Sequence, residues 1–261
     1  MRSWCFGLFL VVAATAFADP APAEKRFRDE IAAVSADAAA AWDAANAARA
    51  AGRPADAADG YRKVIALAPK VDHPHRRLCA MLAAQDKLDA AVDECNEAMS
   101  LAPNSPYDQS AFASVMVARA KPGDLERGLQ FSSLAAQQLP DDATVAEVHC
   151  EALAALHNVR GLRPCIDHLL ALDPNNALGN LHAAQLALAD HDAAHARQFL
   201  ERAKAGGLPS DPYMQLRSQI DRLQPNAAGW FDAKRAAIAG AIAAGALFVG
   251  LLIFWLLRRR R

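Results

Sequence analysis

The sequence predicts an all-α chain, a solenoid of stacked helix-turn-helix pairs, on three observations. About a quarter of the 261 residues are alanine, and the chain is 53% hydrophobic but only 7% aromatic. Alanine has the highest helix propensity and lets two backbones approach closely, which suits packed helices. A β-rich chain would draw on Val, Ile, Thr and aromatics, and a disordered one would hold fewer apolar residues. The second observation is a period: Pro69, Pro103, Pro140, Pro174 and Pro209 are separated by 34, 37, 34 and 35 residues. The third is self-similarity ahead of those prolines, where Ile65-Ala66-Leu67-Ala68-Pro69, Ser100-Leu101-Ala102-Pro103, Gln138-Leu139-Pro140 and Leu172-Asp173-Pro174 each close an amphipathic run.

The elements follow in chain order. Residues 1–18 have the parts of a secretory signal peptide: basic Arg2, a short apolar run over 5–17, and Ala16-Phe17-Ala18 before Asp19. Residues 19–37 are a spacer with Pro20 and Pro22, then a leading helix from Glu24 to Asp37. The repeat array covers 38–210, in units of 38–71, 72–105, 106–142, 143–176 and 177–210, with an insertion around Lys121-Pro122-Gly123-Asp124 in the third. Residues 211–224 form a capping helix that turns Met214, Leu216, Ile220 and Leu223 onto the last repeat. A linker spans 225–235. The stretch 236–257 is 22 residues without a charge, about 33 Å as a helix and enough to cross a bilayer core. Four arginines at 258–261 then place the C-terminus in the cytoplasm. These ends predict a single-pass membrane protein with its N-terminal domain extracytoplasmic, on the periplasmic side of a bacterial inner membrane. Small residues such as Ala236, Gly240 and Ala244 within the span allow homo-oligomeric contact.

A helix closing in Leu-x-Pro, or in Leu-Pro in the third case, at a period near 34 resembles the tetratricopeptide repeat (TPR) family, over about residues 38–210. The resemblance implies small residues where the two helices of a repeat cross. Ala45, Cys79, Ala113, Cys150 and Ala184 take the first-helix position, and Ala57, Ala91, Gly128 and Ala196 the second. Leu162 stands in the second-helix position of the fourth repeat and departs from the pattern. The family also implies a groove, lined by first helices, that holds a peptide of a partner. Carried onto this chain, that groove takes in Trp42, Asn46, Arg76, Tyr107, Glu147, Glu151, Leu181, Gln185 and Leu188. Trp42 is either an anchor for a partner or a core residue packed on the leading helix.

Residues 19–224 hold 21 basic and 28 acidic side chains, a net of −7, a poor surface for nucleic acid. Cys79 and Cys95 fall on the two helices of one repeat, as do Cys150 and Cys165, so each pair is a candidate hairpin disulfide; four small buried thiols are the alternative. His191 and His195 lack the glutamate and third ligand that a zinc site needs, and His73 with His75 is a similarly isolated pair. No nucleophile, base and orienter set and no glycine-rich phosphate loop is recognisable, so the expectation is a non-enzyme without cofactor or metal. The function expected is a membrane-anchored scaffold or adaptor for a protein or peptide client, engaged in assembling an envelope complex. A self-associating structural membrane protein is the alternative, as is a tail-anchored organelle receptor should the N-terminal signal remain uncleaved.

Overall fold

The computed structural model describes residues 21–223. Among them are twelve α-helices: α1 (Ala21–Val34), α2 (Ala36–Ala50), α3 (Pro54–Leu67), α4 (Asp72–Ala83), α5 (Leu88–Leu101), α6 (Pro106–Arg119), α7 (Asp124–Gln138), α8 (Ala143–Ala155), α9 (Val159–Leu172), α10 (Ala177–Ala189), α11 (Ala193–Ala205) and α12 (Ser210–Leu223). From α2 to α11 they pair into five hairpins, each packed on the next. Many start signals are local. The side chains of Ser35, Ser105, Asp142, Asn158, Asn176 and Asp192 accept backbone N–H bonds at helix N-termini, and Pro54 and Pro106 open their helices.

The turns inside the hairpins repeat as well. Gly52, Asp86, Ala120, His157 and His191 all have positive φ, at intervals of 34, 34, 37 and 34 residues. Each turn thus ends its first helix through a left-handed residue, a conformation that only Gly52 adopts without crowding a Cβ. The longer interval contains the insertion. There Asp124 accepts from the Lys121 amide at 3.0 Å and from Arg119 Nε at 2.8 Å, while Arg119 also reaches Asp89 at 3.1 Å. The extra residues are therefore folded into a pinned turn and do not disturb the stacking.

Helices within a hairpin approach through small residues. Ala45, Cys79, Ala113, Cys150 and Ala184 are fully buried, as are Ala57, Ala91 and Ala196 opposite them. Leu162 is also buried and packs into the cluster around Cys150 and Ile166, so the fourth repeat holds its helices apart by a larger side chain. Cys79 is bonded to Cys95 and Cys150 to Cys165, with Cα–Cα distances of 5.4 and 5.6 Å, each joining the two helices of one hairpin. The crossing in the first repeat is close. A Cβ on Gly60 would sit 2.7 Å from the Ala45 Cβ and 3.1 Å from its Cα. Gly60→Ala must push α2 and α3 apart and should cost about 2 kcal/mol, read as a lower urea midpoint at unchanged slope.

Several expectations are corrected by the structure. The leading helix does not run from Glu24 to Asp37: Ser35 is extended (φ −160°, ψ 130°) and caps α2 by accepting from the Ala38 amide. The capping helix presents Tyr213, Leu216 and Ile220 to the last repeat, whereas Met214 and Leu223 are exposed at 58% and 40%. A stripe at spacings of three and four faces one way, and residue 213 rather than 214 continues it back from 216 and 220. The membrane expectation is corrected too. Among the described residues no helix is long and apolar enough to cross a membrane. The described fold is thus an all-α repeat solenoid with no spanning helix in it, and it gives no support to the expected single-pass topology, exported location or membrane partner. The segments that prompted them, 1–18, 225–235, 236–257 and 258–261, lie outside the described residues.

Candidate functional site

The first helices pack side by side, α4 on α6, α6 on α8 and α8 on α10, and so present one continuous wall of side chains. In its N-terminal part the wall is polar but covered. Arg76 in α4 is buried, with Nε 3.0 Å from the equally buried Asp108 of α6. Burial pushes the Asp108 carboxyl up to about 7; Arg76 opposes this and the neighbouring Asp72 adds to it. His73 lies between Asp72, at 2.9 Å, and Glu30 of α1, at 2.6 Å. Asn46 in α2 accepts from the Tyr61 hydroxyl at 2.6 Å and donates to Glu24 of α1 at 2.7 Å. Tyr107 in α6 is half-buried, meets the Phe27 ring edge-on at 5.6 Å, and also borders a shallow cleft of about 570 Å³ with Gln138 and residues 139–144.

Trp42 is not an open groove residue. It is 1% exposed, packs edge-on against Tyr61 at 5.4 Å, and has the Arg77 guanidinium 5.9 Å from its ring. Leu181 and Leu188 are likewise core residues, buried in one cluster with Leu200, Leu208, Tyr213, Leu216 and Ile220. An extra helix adds to the core at each end: Phe27 and Ile31 of α1 share one apolar cluster with Trp42, and Tyr213, Leu216 and Ile220 of α12 share one with Leu181 and Leu188.

The C-terminal part of the wall is half-exposed and acidic. Glu147 in α8 accepts from the Asn176 side chain, and burial raises its pKa against that bond. Glu151, one turn on, is pushed up to about 7 by burial first and by Glu147 second. On the neighbouring α10, His182 donates from Nδ1 to Gln185 Oε1 at 3.0 Å. Its Nε2 is buried with no hydrogen-bond partner, and burial lowers the ring's pKa. The neutral tautomer that results leaves Nε2 as an unsatisfied acceptor on the wall. Among the described residues no cluster of three or more His, Cys, Asp or Glu side chains is arranged to hold a metal.

No family model and no curated protein matches this chain. Solved structures do. PilW, described as a widely conserved type IV pilus biogenesis factor, superposes with a TM-score of 0.64 at 12% identity, over 78% of this chain and 94% of its own. A thermophilic TPR protein of Thermus thermophilus gives 0.58 at 16% identity, over 71% and 98%. PilF of Pseudomonas aeruginosa gives 0.57 at 15%, over 82% and 99%. The fold is a TPR solenoid. At such identities the likeness extends to the fold and no further.

Within the TPR solenoid the wall places Glu147 and Glu151 on α8 and Gln185, bonded to His182, on the neighbouring α10, while Asn46, Arg76 and Tyr107 are brought together beneath α1. Sequence reading missed the residues that do the covering, Glu24, Phe27 and Glu30, as well as Arg77 and His182. A signal for the first group was present, because Ala23, Phe27 and Ile31 recur at intervals of four and mark one apolar stripe.

Glu151 also sets a pH dependence. Its folded pKa lies above the unfolded value, so its contribution to stability is complete below about pH 4.5 and is lost as pH rises through about 7. Glu151→Gln removes this dependence. It should stabilise the protein by about 2 kcal/mol at pH 8, a shift discounted for partial exposure, and by much less at pH 5. Thermal melts of both proteins at the two pH values give the comparison; equal differences at both would show that Glu151 ionises freely in the fold.

Proposed function

We propose that this chain is a non-catalytic protein-interaction adaptor that holds a segment of another protein against its wall of first helices. The observation that carries this reading is the C-terminal part of the wall. There, two carboxyl groups whose charged forms are disfavoured by burial and one buried imidazole acceptor without a partner stand on neighbouring helices. Buried polar atoms are nearly always satisfied, and a hydrogen-bond donor or cation on a bound segment would satisfy these. The reading thus specifies a client that offers lysine, arginine or backbone N–H groups to Glu147, Glu151 and His182. The TPR fold supports an interaction role, since a solenoid gives an extended surface with no enclosed reaction chamber.

The test is site-specific photo-crosslinking in cells, with benzoylphenylalanine placed at Gln185 on the wall or at Val159, an exposed position on the second helix of the fourth repeat. One identified protein captured at Gln185 and not at Val159 is the expected result, with capture lost when Glu151→Lys is added. Equal capture at both positions, or capture indifferent to Glu151→Lys, would overturn the reading.

A further inference from the structure

α1 belongs to none of the five hairpins, yet it is held by the first helices of three successive repeats. Phe27 and Ile31 are buried in the main core cluster. The Phe27 ring lies 4.0 Å from the His73 ring and 4.8 Å from the Arg76 guanidinium, both in α4, and 5.6 Å from Tyr107 in α6. Three residues before Phe27, Glu24 accepts from Asn46 in α2 at 2.7 Å and pairs with Arg77 in α4. Three residues after it, Glu30 pairs with His73 at 2.6 Å. Arg28 pairs with Asp43 of α2 at 2.8 Å on the exposed side. A helix that merely closed the end of the array would touch the first repeat alone. α1 instead crosses the wall as far as the third.

The charges match across this contact. The described chain is acidic in sum, but beneath α1 the wall offers Arg77 and His73, which α1 meets with Glu24 and Glu30 on either side of its apolar stripe, while Arg76 pairs with Asp108 of the wall and lies over the Phe27 ring. Arg77, the second-largest fully buried side chain of the molecule, has its charge compensated by Glu24. Anchors at i, i+4 and i+8 between flanking charges are how an amphipathic helix reads when it lies in a groove. A single non-helical residue, Ser35, joins α1 to α2.

We propose that the wall of repeats 1–3 is a binding site for an amphipathic helix with an aromatic residue, an aliphatic residue four positions later, and glutamates three before and three after the aromatic. In this conformation the chain's own α1 occupies that site, and a partner helix of the same chemistry displaces it. This rests on the adaptor reading and adds to it that the two ends of the wall differ in preference: the N-terminal part takes an acidic helix, the C-terminal part a basic or donor-rich segment. It also makes α1 an intramolecular competitor, which lowers apparent affinity by the fraction of molecules in which it is undocked.

The test uses the full chain and a fluorescein-labelled peptide of residues 21–34, followed by anisotropy. In Phe27→Ala/Ile31→Ala the cis helix is weakened, and the peptide should bind it at least ~10-fold more tightly than it binds wild type. A peptide carrying Phe27→Ala should lose that binding, and one carrying Glu24→Gln and Glu30→Gln should bind more weakly and with less dependence on salt. Because the first variant removes core side chains, Glu24→Gln/Glu30→Gln in the full chain is a second acceptor, checked like the first by circular dichroism and by intact disulfides. A folded variant that ignores the peptide, or peptide binding equal in variant and wild type, overturns the proposal. So does unfolding of both variants, which would make α1 a core element and not an occupant. None of these outcomes touches crosslinking at Gln185, so the adaptor reading stands or falls separately.

Discussion

Reducing both disulfides lowers the unfolding free energy by ~6 kcal/mol, about half of it from each. Cys79–Cys95 and Cys150–Cys165 close loops of 16 and 15 residues, and cross-links of that size restrict the unfolded chain by ~3 kcal/mol apiece. The two should add, because they staple hairpins separated by a complete repeat and a solenoid's stability is close to a sum of local and nearest-neighbour terms. A loss of this size is comparable with the whole stability of an ordinary domain. Urea titrations of wild type with and without reductant, beside Cys79→Ala/Cys95→Ala and Cys150→Ala/Cys165→Ala, measure each share. If alkylation shows four free thiols and the midpoint has not moved, packing alone holds these hairpins and the expected loss is refuted.

Trp42→Ala costs about 4 kcal/mol, the scale for emptying a fully enclosed aromatic site. Trp42 heads the fully buried side chains by size, and the Tyr61 and Arg77 side chains rest against it. Its loss leaves a cavity where α2, α3 and α4 meet and removes the ring that lies by the Arg77 cation. Collapse of the surroundings is limited because α2 and α3 are already close at Gly60, where an added Cβ would lie 2.7 Å from the Ala45 Cβ. The effect should appear as a lower urea midpoint, with the α1 peptide region released first in hydrogen exchange. A change below about 1 kcal/mol would mean that the site repacks, and would return Trp42 to consideration as a contact residue.

Trp42 also shows how far the groove could be read in advance. Its place on a first helix followed from the period, and that placement holds. Whether it faces a client or a core depends on how α3 and α4 close around it, through Tyr61 and Arg77. Asn46, Arg76 and Tyr107 shared that fate. Glu147, Glu151 and Gln185 are groove positions that the family resemblance implies, but the burial that raises the two carboxyls and leaves the His182 Nε2 without a partner comes from the way the helices pack.

What the sequence by itself determined is what depends on residues a few positions apart or on strict recurrence. Helix ends ahead of the prolines, five hairpins at a spacing near 34, and one cysteine on each helix of two of them are of this kind. The tertiary structure decided the rest: the burial of Trp42, Leu181 and Leu188, and the path of α1 across three repeats. The physical reason is distance along the chain. Glu24 meets Arg77 across 53 residues and Glu30 meets His73 across 43. Such meetings are set by how successive hairpins stack, a sum of small rotations that amphipathic periodicity does not encode.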